Sequence, residues 1–179
     1  MHKGLIHYTL DHLHATGKIG EMIVVMPREN GEFFRGDGRF GEYLSKDLPG
    51  HIDVEFRTIP HPGYRAIDGL STGAFSSVII GAQKPYHFSS VGGMSGCYDR
   101  RVFEAIRHNA EAIRKYKVRF HISCGQGDPS METSRAIASA LRSENIDTEY
   151  YENPGPHDWE FWAPAAAGNM EFHWWNFQR

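Results

Sequence analysis

The sequence is poor in cysteine and has no long apolar run. Only two of its 179 residues are cysteine, Cys97 and Cys124, which is too few for a disulfide scaffold, and they lack the spacing of a metal site. The apolar runs fall far short of the roughly 20 residues that a membrane-spanning helix needs. The N-terminal residues also lack a signal-peptide core followed by a small-residue cleavage site. We therefore expect free thiols and a cytoplasmic protein that does not enter a membrane.

Charge of one sign is not in excess either. The 19 Lys and Arg residues and 22 Asp and Glu residues give a net charge of −3, and the basic residues form no stripe that would favour nucleic acid. With 40% hydrophobic residues and 19 glycines, the composition is that of a compact globular protein. A chain of this length is expected to form one domain over residues 1–179.

Strand-type and helix-type stretches alternate along the chain. The predicted strands are 22–26, 66–70, 88–94, 118–123 and 147–152. The predicted helices include 73–84, 101–116, 131–143 and 164–177. Strands separated by helices imply right-handed crossovers, so the predicted fold class is α/β, with a parallel sheet flanked by helices.

Ser71 lies in the stretch Gly69-Leu70-Ser71-Thr72-Gly73, at the junction of a predicted strand and a predicted helix. A G-x-S-x-G pattern is weak alone, but at such a junction it places a reactive serine on a sharp turn. The residues two before and two after the serine must then be tiny, and both are glycine. The helix start and the N–H of Thr72 would stabilise an oxyanion. The alternative interpretation is an ordinary glycine-rich turn.

A serine nucleophile needs a base and an acid, and α/β-hydrolases place them in the chain order Ser, Asp or Glu, His. His157 is the first histidine after the last predicted strand, where the base is expected. Asp128 lies in the loop that leaves the preceding strand, where the acid is expected, and Asp99 is the reserve acid. For Asp128 the alternative is a cap on the following helix. Asp158, next to the base, is expected to cap the helix after it.

Four stretches of the sequence match motifs of one enzyme family. Residues 17–27 (GKIGEMIVVMP) look like a helix-to-strand passage, and residues 88–96 (FSSVGGMSG) look like a strand that follows the nucleophile. Residues 65–73 (RAIDGLSTG) look like a nucleophile elbow, although Thr-Gly-Ala stands where Met-Gly-Gly usually follows the serine. Residues 154–162 (PGPHDWEFW) resemble a Pro-Gly-Gly-His-Asp-Trp block, with Pro156 in place of a glycine. In these motifs the chain resembles the esterase D-like, tributyrin and feruloyl esterase group of α/β-hydrolases.

The resemblance implies an α/β-hydrolase-type sheet and a serine carboxylesterase that uses neither a cofactor nor a metal. By that resemblance Ser71 is the nucleophile and His157 is the general base and acid. Asp128 holds the imidazole in the required tautomer. The N–H of Thr72 is one donor of the oxyanion hole.

The start of the sequence departs from that group. Its members open with further strands, one of which ends in a His-Gly-rich loop that gives the second oxyanion N–H, and no His-Gly-Gly segment precedes residue 22 here. The missing strand would lie between the 22–26 and 66–70 strands. Either these strands pair directly or another copy of the chain fills the gap, because a bare apolar edge invites association. We expect a homo-oligomer, with a dimer favoured, or a rearranged sheet.

The loop 27–38 is the candidate for the second oxyanion donor. If the 22–26 strand takes the free place in the sheet, this loop lies beside the nucleophile, and Arg28, Phe33 or Phe34 shapes the acyl pocket. A surface loop without a role in the site is the alternative. Trp159, in the aromatic C-terminal part of the chain, is a further candidate for the substrate pocket.

The predicted reaction is the hydrolysis of short-chain or aromatic carboxylic esters through an acyl-enzyme. Three alternatives stay open at this point. The first is cleavage of feruloyl or acetyl esters of plant polysaccharide, and the second is acyl transfer to an alcohol. The third is a catalytically weak remnant that acts as a binding module.

Overall fold

The computed structural model describes residues 6–27 and 38–179. Its helices are α1 (Ile6–Ala15), α2 (Arg39–Glu42), α3 (Leu48–Glu55), α4 (Thr72–Gln83), α5 (Arg100–Lys115), α6 (Met131–Ser143) and α7 (Trp159–Phe177). Its strands are β1 (Ala66–Ile67), β2 (Ser90–Met94), β3 (Arg119–Gly125) and β4 (Thr148–Asn153). A π-helical turn, Tyr43–Asp47, joins α2 to α3, and a 3-10 turn spans Pro62–Tyr64. Within the described ranges, none of the helices has both the length and the apolar character that crossing a bilayer requires.

The four strands form one parallel sheet in the order β1-β2-β3-β4. Each strand pairs with the next one along the chain, from Ala66 opposite Ser90 at one edge to Gly125 opposite Asn153 at the other. Because parallel strands are connected by right-handed crossovers, strands in sequential order place α4, α5 and α6 on the same face. The predicted parallel α/β sheet is confirmed, and the predicted helix 131–143 has the observed bounds.

The main core lies between this sheet face and the helices α4, α5 and α6. Val91 and Phe120 of the sheet are fully buried against Val78, Ile106 and Ile137 of the three helices. Removing each such side chain from water contributes about 1.5–3 kcal/mol. The sequence favours this packing because α4 is apolar on almost all sides, whereas α5 and α6 carry apolar residues at helical spacing.

The other face of the sheet is covered by α7, which packs against α1. Unlike the core face, it carries buried polar side chains, among them Ser90 and His121. Helix α7 begins five residues before the predicted start, because Asp158 caps it and accepts a hydrogen bond from the Glu160 N–H over 2.7 Å. Pro164 therefore lies inside the helix.

The prediction of a strand at 22–26, covered on both faces, is wrong. The segment forms no strand, and no pairing with β1 occurs among the described residues. Met22 and Val24 pack instead against the cluster that α1 and α7 form, while Ile23 and Met26 are exposed. Only one side of the apolar run is therefore buried, and it packs against helices rather than against a neighbouring strand. Direct pairing of the 22–26 and 66–70 segments is excluded as well.

Candidate active site

Ser71, Asp128 and His157 meet at the carboxyl edge of the sheet. Ser71 lies on the turn between β1 and α4, Asp128 in the loop after β3 and His157 in the loop after β4. The carboxyl ends of parallel strands share one edge, so three loops that are far apart in sequence converge there. The last two loops are also tied together, since the Gly127 N–H donates to the Gly155 carbonyl over 2.9 Å.

The three side chains form one hydrogen-bonded chain. Ser71 Oγ lies 2.9 Å from His157 Nε2, and His157 Nδ1 lies 2.9 and 2.8 Å from the two carboxylate oxygens of Asp128. A neutral imidazole has one proton, so donation from Nδ1–H to the carboxylate leaves Nε2 free to accept from the Ser71 hydroxyl. In this arrangement the imidazole can take up the hydroxyl proton.

The Asp128 carboxylate is buried and receives several hydrogen bonds. The N–H and the hydroxyl of Ser130 donate to its Oδ1 over 2.7 and 2.6 Å, and the Ser95 hydroxyl also donates to the carboxylate. Burial alone would raise the pKa of this carboxyl, but the hydrogen bonds from Ser130, Ser95 and His157 outweigh it and hold the pKa below its usual value. Because the folded state lowers this pKa, the Asp128 charge stabilises the fold above the usual pKa of 3.8, and that contribution is lost as the pH falls through the lowered value.

Trp162 contacts both His157 and Ser95, a hydrogen-bond donor to Asp128. Its Nε1–H donates to Ser95 Oγ over 3.0 Å, and its ring stands edge-on to the His157 ring with 4.9 Å between centroids. The ring of Trp159 packs in turn against Trp162 at 5.5 Å. Trp159 is therefore one ring away from the base, and its contact with substrate stays a prediction.

The backbone of Ser71 adopts the sharp turn expected of a nucleophile elbow. Its φ of 53° and ψ of −116° are rare for a residue with a side chain and cost about 1–3 kcal/mol. Backbone hydrogen bonds hold the turn against β2, from Ser71 N to Met94 O over 2.8 Å and from Met94 N to Gly69 O over 2.9 Å. Thr72 is the first residue of α4, where backbone N–H groups have no partner within the helix.

The two glycines beside Ser71 differ in what they would tolerate. A Cβ at Gly69 would overlap the backbone of Gly73, whereas a Cβ at Gly73 would meet no described atom within 4 Å. The expectation that both positions must be tiny is confirmed for Gly69 and wrong for Gly73. The reason is the close approach of the two backbones, which leaves no room at residue 69 but directs the Cβ of residue 73 into open space.

Gly69→Ala is expected to lower the melting temperature by about 3–10 °C, because an atom forced into a packed turn typically costs about 1–3 kcal/mol and each kcal/mol shifts Tm by roughly 2–4 °C in a chain of this size. Gly73→Ala is the matched control and should melt at or slightly above the parent temperature, since alanine favours a helical position. Differential scanning calorimetry measures both. Equal melting temperatures for the two variants would contradict the close approach.

The other candidate residues have separate positions. Asp99, the reserve acid, caps α5 and accepts from the Arg101 N–H over 2.9 Å, and its carboxylate also pairs with the Arg101 guanidinium. Asp158 caps α7, as predicted. Arg28, Phe33 and Phe34 lie outside the described residues, so their place in a substrate pocket stays a prediction.

Sequence reasoning missed the polar groups that hold the Asp128 carboxylate, Ser95 and Ser130. Ser95 stands between Met94 and Gly96, just after a predicted strand, and nothing in that stretch indicates a hydrogen bond to a distant carboxylate. Its backbone has a φ of 54°, and the side chain is fully buried beneath the site. Only the spacing of Ser130, two residues after Asp128, indicates a hydroxyl that reaches back to a carboxylate. Both cysteines are free, as expected, with Cys97 exposed and Cys124 buried.

The chain is similar to several known proteins. The model of the family described as "Putative esterase" matches residues 6–172. An acetyl esterase from Caldicellulosiruptor saccharolyticus is 25% identical over 191 residues, which cover 83% of this chain and 70% of that protein. The structure of a ferulic acid esterase superposes with a TM-score of 0.81 at 20% identity, over 96% of this chain and 77% of that chain. An S-formylglutathione hydrolase from Staphylococcus aureus superposes with a TM-score of 0.71 at 16% identity, over 95% and 78% of the two chains. These structural likenesses confirm the α/β-hydrolase-type fold.

Proposed function

The chain belongs to this esterase family, and we propose that it hydrolyses carboxylic esters through an acyl-enzyme formed on Ser71. One observation carries the proposal, namely the hydrogen-bonded chain from Ser71 Oγ through the His157 imidazole to the Asp128 carboxylate. The depressed pKa of Asp128 supports it, because the acid is then ionised at neutral pH and can stabilise an imidazolium.

In the first half of the reaction Ser71 Oγ attacks the ester carbonyl carbon while its proton passes to His157 Nε2. The carbonyl π electrons move to oxygen, and the N–H of Thr72 donates to the oxyanion. The tetrahedral intermediate then collapses, the carbon–alkoxy bond breaks, and the imidazolium returns its proton to the leaving alcohol. The product that remains is an ester between the acyl group and Ser71.

In the second half water takes the place of the alcohol. His157 Nε2 removes a proton from the water as it attacks the acyl carbon, and the same proton is returned to Ser71 Oγ when the acyl–serine bond breaks. The carboxylic acid leaves, and the enzyme regains its starting protonation state. Throughout, Asp128 keeps the proton on Nδ1 and stabilises the imidazolium charge.

Short-chain or aromatic acyl groups are the substrates that we propose. Trp159 is partly exposed and packs on Trp162, the ring beside His157, so it offers a flat apolar surface for a small acyl chain or a phenyl ring. The acetyl esterase and ferulic acid esterase relatives act on esters of these two kinds. Acyl transfer and polysaccharide esters are outcomes that a substrate panel distinguishes. The panel would combine p-nitrophenyl esters of increasing chain length, methyl ferulate, acetylated xylan and an added alcohol acceptor.

A covalent trap tests the serine mechanism directly. The purified protein is treated with a fluorophosphonate, digested and analysed by mass spectrometry. We expect one phosphonyl group per active chain, on the peptide that contains Ser71. A label on Cys97 or on another serine, with Ser71 unmodified in an active preparation, would contradict the proposal.

We also propose that two copies of the chain associate through the exposed apolar side of residues 22–26. Ile23, Val25 and Met26 are 51, 39 and 71% exposed, whereas Met22 and Val24 pack inward. A strip of exposed apolar side chains favours association. Light scattering after size exclusion is expected to give twice the chain mass of 20.3 kDa. The Met26→Asp variant is expected to give a lower mass, closer to that of the monomer. A parent protein that is a monomer at every concentration would contradict the dimer.

A cytoplasmic location of the protein stays a prediction.

A further inference from the structure

A second serine–histidine–aspartate arrangement lies buried beneath the candidate site, on the sheet face that α7 covers. His173 Nε2 lies 3.1 Å from the Asp68 carboxylate, and His173 Nδ1 lies 2.8 Å from the hydroxyl of Ser90. With Nε2–H donating to the carboxylate, Nδ1 accepts from the Ser90 hydroxyl. The His173 side chain is only 3% exposed and Ser90 is fully buried. No substrate can reach this serine, so the arrangement serves something other than a second reaction.

The Asp68 carboxylate is the centre of this network. Its Oδ1 accepts from the Gly69 N–H over 2.6 Å, and its Oδ2 accepts from the Asn169 side-chain amide over 2.8 Å as well as from His173. Asn169 and His173 are four residues apart on α7, so they present their side chains on the same face of the helix. The carboxylate thus joins one face of α7 to the peptide that immediately precedes the elbow.

Strand β2 makes room for this carboxylate. A Cβ at Gly92 would lie between 2.5 and 2.7 Å from the three carboxyl atoms of Asp68, closer than side-chain carbons approach other atoms. The glycine therefore allows the charged group to lie flat against the sheet. The Asp68 side chain is only 17% exposed, and a recess in which each carboxylate oxygen accepts a hydrogen bond is more than a solvated surface position requires.

The position of Asp68 coincides with a break in the sheet. Regular pairing between β1 and β2 ends at Ile67, and a single bridge resumes at Leu70, opposite Met94. Between these points the Asp68 side chain supplies the acceptor for the Gly69 N–H. The turn that contains the strained Ser71 backbone is therefore held in part by a hydrogen bond to the Asp68 side chain.

We propose that Asp68, Asn169 and His173, the elbow clamp, position Ser71 relative to His157. The inference rests on the proposed function of Ser71. Helix α7 starts at Trp159, two residues after His157, so the same rigid helix follows the base directly and binds the elbow through Asn169 and His173. The positions of both residues in the 2.9 Å contact between Ser71 Oγ and His157 Nε2 are thereby fixed relative to the same helix, α7. The clamp residues are positioning residues, since they touch neither the hydroxyl nor the imidazole.

The experiment separates positioning from folding by counting reactive serines. Asp68→Ala, Asp68→Asn and Asn169→Ala are compared with the parent and with Ile137→Ala, a cavity variant in α6 that removes a fully buried side chain outside the clamp and is expected to lose stability. Each protein is titrated with a stoichiometric fluorophosphonate. The kcat per titrated serine and the KM for p-nitrophenyl acetate are then measured. A merely structural role lowers the number of titrated serines and the melting temperature but leaves kcat per serine unchanged.

Asp68→Ala is expected to lower kcat per titrated serine by about 10- to 100-fold, the size of effect that a displacement of roughly 1 Å produces, with KM within about twofold. Asp68→Asn should recover only part of this loss, because its amide oxygen still accepts from the Gly69 N–H, whereas its NH₂ faces the Asn169 amide and His173 Nε2, which must reorient to accept from it. Ile137→Ala should keep the parent kcat per serine. If Asp68→Ala does not fold, Asn169→Ala carries the test, with an expected loss of about 3- to 10-fold.

The proposal is overturned if kcat per titrated serine in Asp68→Ala, or in Asn169→Ala where that variant carries the test, equals the Ile137→Ala value. A parent protein without turnover and without a titratable serine would contradict the serine esterase mechanism instead. An active, titratable parent with a normal Asp68→Ala variant would contradict the clamp alone.

Discussion

Ser71→Ala is expected to lower kcat for the best p-nitrophenyl ester by about 10⁴- to 10⁶-fold, since removal of a catalytic serine leaves only binding and oxyanion stabilisation. The methyl group cannot form the acyl intermediate, and the His157 imidazole then faces no hydroxyl. The folded state should persist, because alanine fits the space of serine. Initial rates with the purified variant, at substrate concentrations on both sides of KM, measure the effect.

Ser143→Ala is the matched control for this experiment. Ser143 lies exposed at the last residue of α6, at the opposite end of that helix from the loop with Asp128, and its hydroxyl donates to the Ala140 carbonyl over 2.8 Å. Its rate should equal that of the parent. If Ser71→Ala hydrolyses the ester as fast as this control, the acyl-enzyme mechanism fails, and a binding or assembly role becomes the better interpretation of the fold.

Asp128→Asn is expected to lower kcat by about 10³- to 10⁴-fold while the fold is kept. The asparagine amide can present its NH₂ to His157 Nδ1, which moves the imidazole proton to Nε2. Nε2 then no longer accepts from the Ser71 hydroxyl, and the base is lost without any loss of side-chain volume. The same variant should also lose the part of the acid sensitivity of folding that the lowered Asp128 pKa produces. Thermal unfolding from neutral pH to below pH 4 tests this second effect.

Asp99→Asn provides the control for the acid. Asp99 follows a neighbouring strand and is the other carboxylate that the sequence favours, but its side chain caps α5 and pairs with Arg101. We expect its kcat to lie within about twofold of the parent, because exposed ion pairs are worth little. A large loss of activity in Asp99→Asn, together with a normal Asp128→Asn, would reverse the assignment of the acid.

Much of the fold could be predicted because strand-type and helix-type apolar patterns alternate along the chain. The exceptions have physical reasons. Helix 131–143 was predicted to the residue, because Ile137 and Leu141 repeat at helical spacing between polar neighbours. The apolar run at 22–26 has the composition of a buried strand, yet a strand also needs a neighbour for its backbone groups. Composition does not contain that information, so the segment was assigned to the sheet although it packs on helices.

The candidate site could be predicted as far as local sequence carries its chemistry. Ser71 and His157 stand in short motifs whose glycine and proline residues indicate the backbone turns around them. The position of Asp128 was predicted from the order of the residues along the chain and from the ends of the strands. The hydrogen bond from Trp162 to Ser95 joins residues 67 positions apart, and the one from Ser95 to Asp128 joins two different loops, so no local pattern indicates either bond. The sequence does not indicate the elbow clamp for the same reason. Asp68 looks like an ordinary polar residue at a strand end, and its partners Asn169 and His173 lie about a hundred positions away on α7.

The order of the site residues along the chain has a consequence for protein synthesis. The turn with Ser71 is synthesised 86 residues before His157, and helix α7 follows His157 directly. Since chains are made from the N-terminus, a nascent polypeptide holds Ser71 long before it holds the imidazole that is proposed to activate it. The proposed hydrolysis therefore cannot begin until His157 and α7 have been synthesised and have packed against the sheet.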